Sequence, residues 1–185
     1  MKAGVLALQG DFREHSKVFA ALGATPVEVR TAEQLAAVDC LAIPGGESTT
    51  IGKLARAYDL VEPIQERSAA GMPILGTCAG MIVLAREVDG GEPLFALMDI
   101  DVRRNAYGRQ VDSFETDLEV RGIEHPVRGV FIRAPWIERV GEQVEVLATF
   151  EERPVVLEQG NLVVASFHPE LVGETGLHDY VLRKV

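Results

Sequence analysis

The sequence predicts an α/β fold: a doubly wound, mostly parallel sheet with helices on both faces, plus an antiparallel strand extension in the second half. Three observations carry this expectation. Up to about Ala85, short continuous apolar runs alternate with amphipathic stretches at helical spacing, the pattern of repeated βα units. Beyond that point the texture changes to short β-branched runs separated by Gly, Pro and charged residues, which suits antiparallel strands. The 185 residues, 47% hydrophobic and 25% charged, are enough for one domain with a full core, so a single domain over 1–185 is expected.

Taken in order, residues 3–8 form a continuous apolar run, as in a strand covered on both faces of a sheet. Asp11 is placed to cap a helix to about Leu22, with Phe12, Val18, Phe19 and Leu22 turned inward and Gly23 closing it. Residues 26–30 read as a second strand, and Thr31 caps a short helix ending near Ala37. Residues 40–43 are a third buried strand, running into Pro-Gly-Gly-Glu-Ser at 44–48. One longer helix is expected from there to about Ala70, then a fourth strand at 73–75 and a helix from Met81 to Ala85. Strands are expected next at 111–120, 127–133, 144–150, 155–157 and 162–167, and a last helix from about Glu174 to Arg183. The chain stops soon after that helix begins, so a short or truncated C-terminal tail is expected.

Charge and cysteine usage exclude whole classes of function. Lys and Arg number 18 against 28 Asp and Glu, a formal net charge of -10. Nucleic-acid binding needs a basic surface to neutralise phosphates, and this field opposes it. The two cysteines, Cys40 and Cys78, argue against a disulfide framework and suit a reducing cytoplasm. Asp11, Arg13 and Glu14 cut the N-terminal apolar run too short for a secretory segment. The uncharged stretch 68–85 contains Pro73, Ser68, Thr77 and three glycines, and falls short of the ~20 apolar residues of a membrane helix. It reads as a buried strand, a sharp turn and a helix. A cytoplasmic protein that binds neither nucleic acid nor membrane is therefore expected.

The strongest chemical signal is Gly-Thr-Cys-Ala-Gly at 76–80, between a buried strand and a helix. At such a junction Cys78 is forced into a tight turn, and the helix N-terminus turns free N–H groups and partial positive charge towards its sulfur. Those groups favour the thiolate, which is the nucleophilic form. Alternatively, Cys78 is a small buried core residue.

A cysteine nucleophile needs a base. His15, His125 and His178 read as solvated surface residues, whereas His168 directly follows the apolar run 162–167 and precedes Pro169 and Glu170. A strand end delivers its side chain to the sheet edge where ligands gather. Glu170 could then fix the imidazole tautomer. Read alone, His-Pro-Glu is a turn with a solvated glutamate; read beside the cysteine turn, it is the base and its orienter. Gly45 and Gly46, after the third strand, let backbone N–H groups face developing negative charge, as an oxyanion hole requires. The N–H of Ala79 would join them. The same loop also reads as a plain strand-to-helix connection capped by Ser48 or Thr49.

Cys78 within Gly-Thr-Cys-Ala-Gly, the His168-Pro-Glu170 step and Pro-Gly-Gly at the third strand together resemble the class I (triad) glutamine amidotransferases, with their flavodoxin-like fold. Longer blocks at 8–10, 44–50, 104–114, 130–135 and 166–170 narrow the match. They are Leu-Gln-Gly, Pro-Gly-Gly-Glu-Ser-Thr-Thr, Arg-Asn-Ala-Tyr-Gly-Arg-Gln-Val-Asp-Ser-Phe, Val-Phe-Ile-Arg-Ala-Pro and Ser-Phe-His-Pro-Glu. These look like the family of glutaminase subunits of pyridoxal 5′-phosphate synthase, nearly end to end.

The resemblance implies a glutaminase that hydrolyses L-glutamine and passes ammonia to a separate synthase subunit, which builds pyridoxal phosphate from a pentose phosphate and a triose phosphate. It implies Cys78 as nucleophile, His168 as base and Glu170 as orienter. It puts Gly46, Glu47, Ser48, Arg104, Ile132 and Arg133 at glutamine-binding positions. It also implies weak activity until the synthase docks and orders the oxyanion loop. The chemistry calls for no cofactor and no metal, and no ligand spacing for a metal is present. A guanidinium at Arg104 or Arg133 suits the α-carboxylate of glutamine, or the pinning of a loop. Trp136 departs from the smaller or polar residue expected there and would alter the cleft rim. The alternatives are a class I amidotransferase of another pathway, a cysteine hydrolase with a similar turn, and a non-catalytic binding module.

Overall fold

A computed structural model describes residues 1–104 and 113–185. In chain order the elements are β1 (Lys2–Leu6), α1 (Phe12–Ala21), β2 (Thr25–Val29), α2 (Ala32–Ala36), β3 (Cys40–Ile43), α3 (Ser48–Ala57), α4 (Val61–Ala69), β4 (Ile74–Thr77) and α5 (Ala79–Leu84). There follow β5 (Ala85–Asp89), β6 (Met98–Arg103), β7 (Phe114–Leu118), β8 (Val127–Phe131), β9 (Trp136–Val140), β10 (Glu145–Phe150), β11 (Arg153–Gln159), β12 (Leu162–Ala165), a 3-10 turn (Glu170–Val172) and α6 (Gly176–Leu182).

Seven strands form the central sheet in the order β10-β11-β12-β4-β3-β1-β2. The five from β12 to β2 are parallel; β11 and β10 extend the sheet antiparallel at one end. Alternate residues of each central strand enter two different cores, because successive side chains point to opposite faces. Val5, Ala42, Leu75 and Val163 meet Phe19 of α1 and Leu177 and Val181 of α6. Leu6, Leu41, Ile74 and Val164 meet Leu35, Ile51, Ile64 and Met81 of α2 to α5. This is the doubly wound α/β arrangement expected, with helices on both faces.

Several expectations are corrected. The long helix to Ala70 is two helices, broken at Asp59, whose φ is 53°. Pro63 explains the break: mid-helix it has no N–H to donate and its ring clashes with the carbonyl four residues back, whereas in the first turn of α4 it is tolerated. Strand β12, grouped by its texture with the antiparallel strands, runs parallel beside β4. Strands β5, β6 and β9 were not expected and form a separate three-stranded sheet. The antiparallel pair β7–β8 matches the texture of the second half. Residues 105–112, which carry most of the block 104–114 and the start of the strand expected at 111–120, lie outside the described residues. Among the described residues no helix is long and apolar enough to cross a membrane.

Candidate active site

Strands β4 and β12 lie side by side with Thr77 opposite Ala165. Both strands leave the sheet at the same edge, and this brings residues 78 and 168 together across ninety positions of sequence. Cys78 follows β4 immediately, with φ 48° and ψ -103°, and its N–H donates to the Ala165 carbonyl at 2.8 Å. An L residue rarely adopts that conformation, and it costs of order 1–3 kcal/mol. The flanking glycines permit it. A Cβ on Gly80 would stand 2.0 Å from the Ile43 carbonyl oxygen, and one on Gly76 would stand 2.6 Å from Leu84 Cδ1. Strand and helix therefore pack closer than any side chain allows. The Cys78 sulfur sits 3.9 Å from the Ile132 carbonyl oxygen. Cys40 is different: burial and the nearby Asp39 push its thiol up to about 12, so it is no nucleophile at neutral pH.

His168 is held by a single bridge to β8, its N–H donating to the Val130 carbonyl at 2.9 Å. Its ring Nδ1 lies 2.7 Å from Glu170 Oε1 and 2.9 Å from Asp11 Oδ2. Burial disfavours the charged imidazole, but hydrogen bonds with Asp11, Cys78 and Glu170 outweigh it and raise the His168 pKa to about 12. For Asp11 burial also opposes the charge, and contacts with His168 and Glu170 prevail, lowering its pKa to about 2.

The sequence missed Asp11 as a site residue. It was expected to cap α1, and its side chain makes no capping bond there. The carboxylate turns to the imidazole instead. The placing of His15 and His178 on the surface is likewise corrected: both are fully buried, while His125 is exposed as expected. His15 lies one helical turn before Val18 and Phe19, on the same inward face, and that spacing was the available signal.

The glycine loop is shaped by close contacts. A Cβ on Gly45 would stand 2.1 Å from His168 Cε1, so Gly45 leaves room for the imidazole. Gly46, at φ 143°, packs against Gln9, whose side-chain oxygen accepts the Glu47 N–H at 2.7 Å. The cap of α3 is Glu47, not Ser48 or Thr49. Its carboxylate accepts from the N–H groups of Thr49 and Thr50 at 3.2 and 2.7 Å, where a negative charge also suits the helix dipole. Slight burial works against that charge; the Thr50 and Thr49 hydrogen bonds outweigh it and lower the Glu47 pKa.

Gly46, Glu47, Ser48, Cys78, Ala79, Arg104, Ile132, Arg133 and His168 line one cavity of about 350 Å³, together with Asp11, Ile82 and Leu171. Glu170 stands behind the imidazole and Gly45 lies against it. Ala79 begins α5, so its N–H has no acceptor within the helix. Arg104 donates to Thr49 Oγ1 at 3.2 Å and to the Gly90 carbonyl at 2.7 Å, pinning two loops at the cavity edge. Arg133 has φ 46° and is exposed. Trp136 lies on β9 with the Arg153 guanidinium carbon 3.7 Å from the centre of its ring, and is not among the described residues that line the cavity. Chemically, the site offers a cysteine thiol, a buried imidazole whose pKa is raised and backbone N–H groups around a space of small-molecule size.

The SNO glutamine amidotransferase family matches residues 5–185. The chain is 57% identical over 186 residues to the pyridoxal 5′-phosphate synthase subunit PdxT of Pelotomaculum thermopropionicum, covering 100% of this chain and 95% of that one. With the subunit PdxT of Frankia alni it shares 56% identity over 181 residues, 96% of this chain and 91% of the other. A solved structure described as a glutamine amidotransferase superposes with a TM-score of 0.94 at 50% identity, covering 98% and 97% of the two chains. PurLQS from Thermotoga maritima, at 17% identity and TM-score 0.73 over 98% and 97%, shares the fold.

Proposed function

This chain belongs to the SNO glutamine amidotransferase family, and from that premise we propose that it is the glutaminase subunit of a pyridoxal 5′-phosphate synthase. It would act as a single-domain cytoplasmic protein in a complex with a synthase subunit, hydrolysing L-glutamine to L-glutamate and ammonia for that partner. The observation that carries the reading is the meeting of Cys78 and His168 on one cavity wall, with Glu170 2.7 Å behind the imidazole.

The geometry supports the following chemistry. Glutamine enters with its side-chain amide beside Cys78 and its α-carboxylate towards Arg104 or Arg133, where a guanidinium can clasp it. The Cys78 thiolate attacks the amide carbon, forming the C–S bond as the carbonyl π pair moves onto oxygen. The N–H groups of Gly46 and Ala79, with the adjoining Gly45 loop, stabilise that oxyanion. The imidazolium of His168 gives its Nε2 proton to the amide nitrogen, and the C–N bond breaks to release ammonia and a glutamyl thioester. Neutral His168 then takes a proton from water, whose oxygen attacks the thioester, and glutamate leaves as the sulfur recovers its electron pair. Glu170 holds the ring through Nδ1. A role for Glu47 in substrate binding rests on its position at the cavity, since its carboxylate is occupied in capping α3.

The test is ammonia release from glutamine by the chain with and without the cognate synthase, repeated with Cys78→Ala. Activity that needs the synthase and vanishes in the variant supports the reading. Turnover that survives in Cys78→Ala rejects it.

A further inference from the structure

Behind Glu170 lies a buried polar chain that the reaction above does not use. His15 of α1 and His178 of α6 are both fully buried. His15 Nδ1 lies 2.7 Å from His178 Nε2, and His15 Nε2 lies 3.1 Å from Thr77 Oγ1 and 3.6 Å from Glu170 Oε2. Glu170 commits Oε1 to His168, while its Oε2 is buried with no hydrogen bond among the described residues. A carboxylate oxygen buried without a donor is costly, and His15 Nε2 faces it.

One pair of tautomers suits every group. If His178 Nε2–H donates to His15 Nδ1, then His15 Nε2–H points towards Thr77 and Glu170 Oε2, and only a bare lone pair is left at His178 Nδ1. That nitrogen is indeed buried and has no hydrogen-bond partner among the described residues. The opposite pair would bury an N–H with no acceptor at His178 Nδ1 and turn a lone pair of His15 towards the carboxylate. Glu170 also opens a 3-10 turn whose next residues, Leu171 and Val172, are exposed, so its own segment provides little packing to fix it.

We propose that His15, seated by His178, is a positioning residue that holds Glu170 against His168. The inference rests on the assignment of Cys78, His168 and Glu170 to glutamine hydrolysis. It ties α1 and α6, none of whose described residues line the cavity, to the rate of the chemical step.

The test measures glutamine hydrolysis by the full chain in complex with its synthase. His15→Phe is expected to lower kcat by about 10-fold or more while KM stays within about threefold, the split expected when positioning is lost and binding kept. His15→Gln, which can put an amide N–H near the place of Nε2, is expected to recover most of the loss. In a Glu170→Gln background His15→Phe should cost less than about twofold further, since coupled residues are non-additive. Unchanged kcat in His15→Phe, or a full additional loss in the Glu170→Gln background, overturns the inference. Should His15→Phe not fold, His15→Asn carries the same two comparisons: its amide can meet His178 but not reach Glu170. A loss confined to the Glu170-intact background supports the inference, and no loss overturns it. Activity surviving in Cys78→Ala would overturn the underlying assignment instead, whatever the His15 variants do.

Discussion

His168 Nδ1 lies 2.9 Å from Asp11 Oδ2, so the imidazole faces a second carboxylate beside Glu170. Two anions on one ring nitrogen favour imidazolium, the form that can protonate a leaving amine. Asp11→Asn keeps the shape and removes one charge. The His168 pKa should fall from about 12 towards the ordinary value, and the alkaline limb of kcat/KM for glutamine should move down with it. An unchanged ring titration by NMR would show that Glu170 and Cys78 suffice.

The same pair bears on stability. A histidine whose pKa rises from 6.5 to about 12 on folding contributes stability that is fully present below pH 6.5 and lost as pH climbs through 12. Asp11, lowered from 3.8 to about 2, contributes above pH 3.8 and loses its share as pH falls through 2. Asp11→Asn should therefore lower the melting temperature at neutral pH, and the deficit should shrink as pH falls from 3.8 through about 2.

Gly45 and the His168 ring set a steric test. A methyl group on Gly45 would stand 2.1 Å from His168 Cε1 and must move the imidazole. Gly45→Ala should cut kcat by about 100-fold, the scale of a misplacement near 1 Å, with KM little changed. Wild-type kcat would show that the ring has room to shift.

Much of this site was legible because Cys78 and His168, the proposed nucleophile and base, each end an apolar run. Cys78 follows β4 and His168 follows β12, and parallel pairing of those strands turns two distant strand ends into neighbours. The glycines at 76 and 80 announced a tight junction, and the contacts at Ile43 and Leu84 give the reason. The companions were harder to read. Asp11 suits a helix cap and a histidine partner equally well in sequence, and only the chain path decides between them. His15 and His178 look like surface residues when taken singly, because a histidine carries no hydrophobic signal to mark the inward face. Strand β6 alternates buried and half-buried positions over 98–102, but the charged Asp99, Asp101 and Arg103 break up the apolar run by which other strands are recognised. Those charges face Arg86, Arg139, Asp89 and Glu138 in surface ion pairs, which alternation alone does not reveal.

Gly80 meets backbone rather than a movable side chain. A methyl group there would stand only 2.0 Å from the Ile43 oxygen, so Gly80→Ala must separate α5 from β3. Overpacking of this kind costs about 1–3 kcal/mol, so the variant should melt earlier and lose activity together. Chemical denaturation checks it; an unaltered midpoint would mean the turn relaxes freely.

Burial, and then the neighbouring His15, hold the His178 pKa well below 6.5, so the native state keeps this ring neutral. The groups facing it are the His15 ring and the edge of Phe19. A depressed pKa contributes stability that is present above pH 6.5 and lost as pH falls below it. His178→Leu should flatten the decline between pH 6.5 and 4.5, measured by denaturant melts across about that range. An unchanged slope would assign the acid sensitivity elsewhere.

The most direct measurement is intact-protein and peptide mass spectrometry of the synthase complex, quenched in acid during turnover of glutamine. A glutamyl group should appear on the peptide containing Cys78 and should accumulate in a His168→Asn variant if the first step proceeds at all, because thioester hydrolysis lacks its base. Glutamate formed at the wild-type rate with the adduct on another residue, or with Cys78 never modified, would contradict the account.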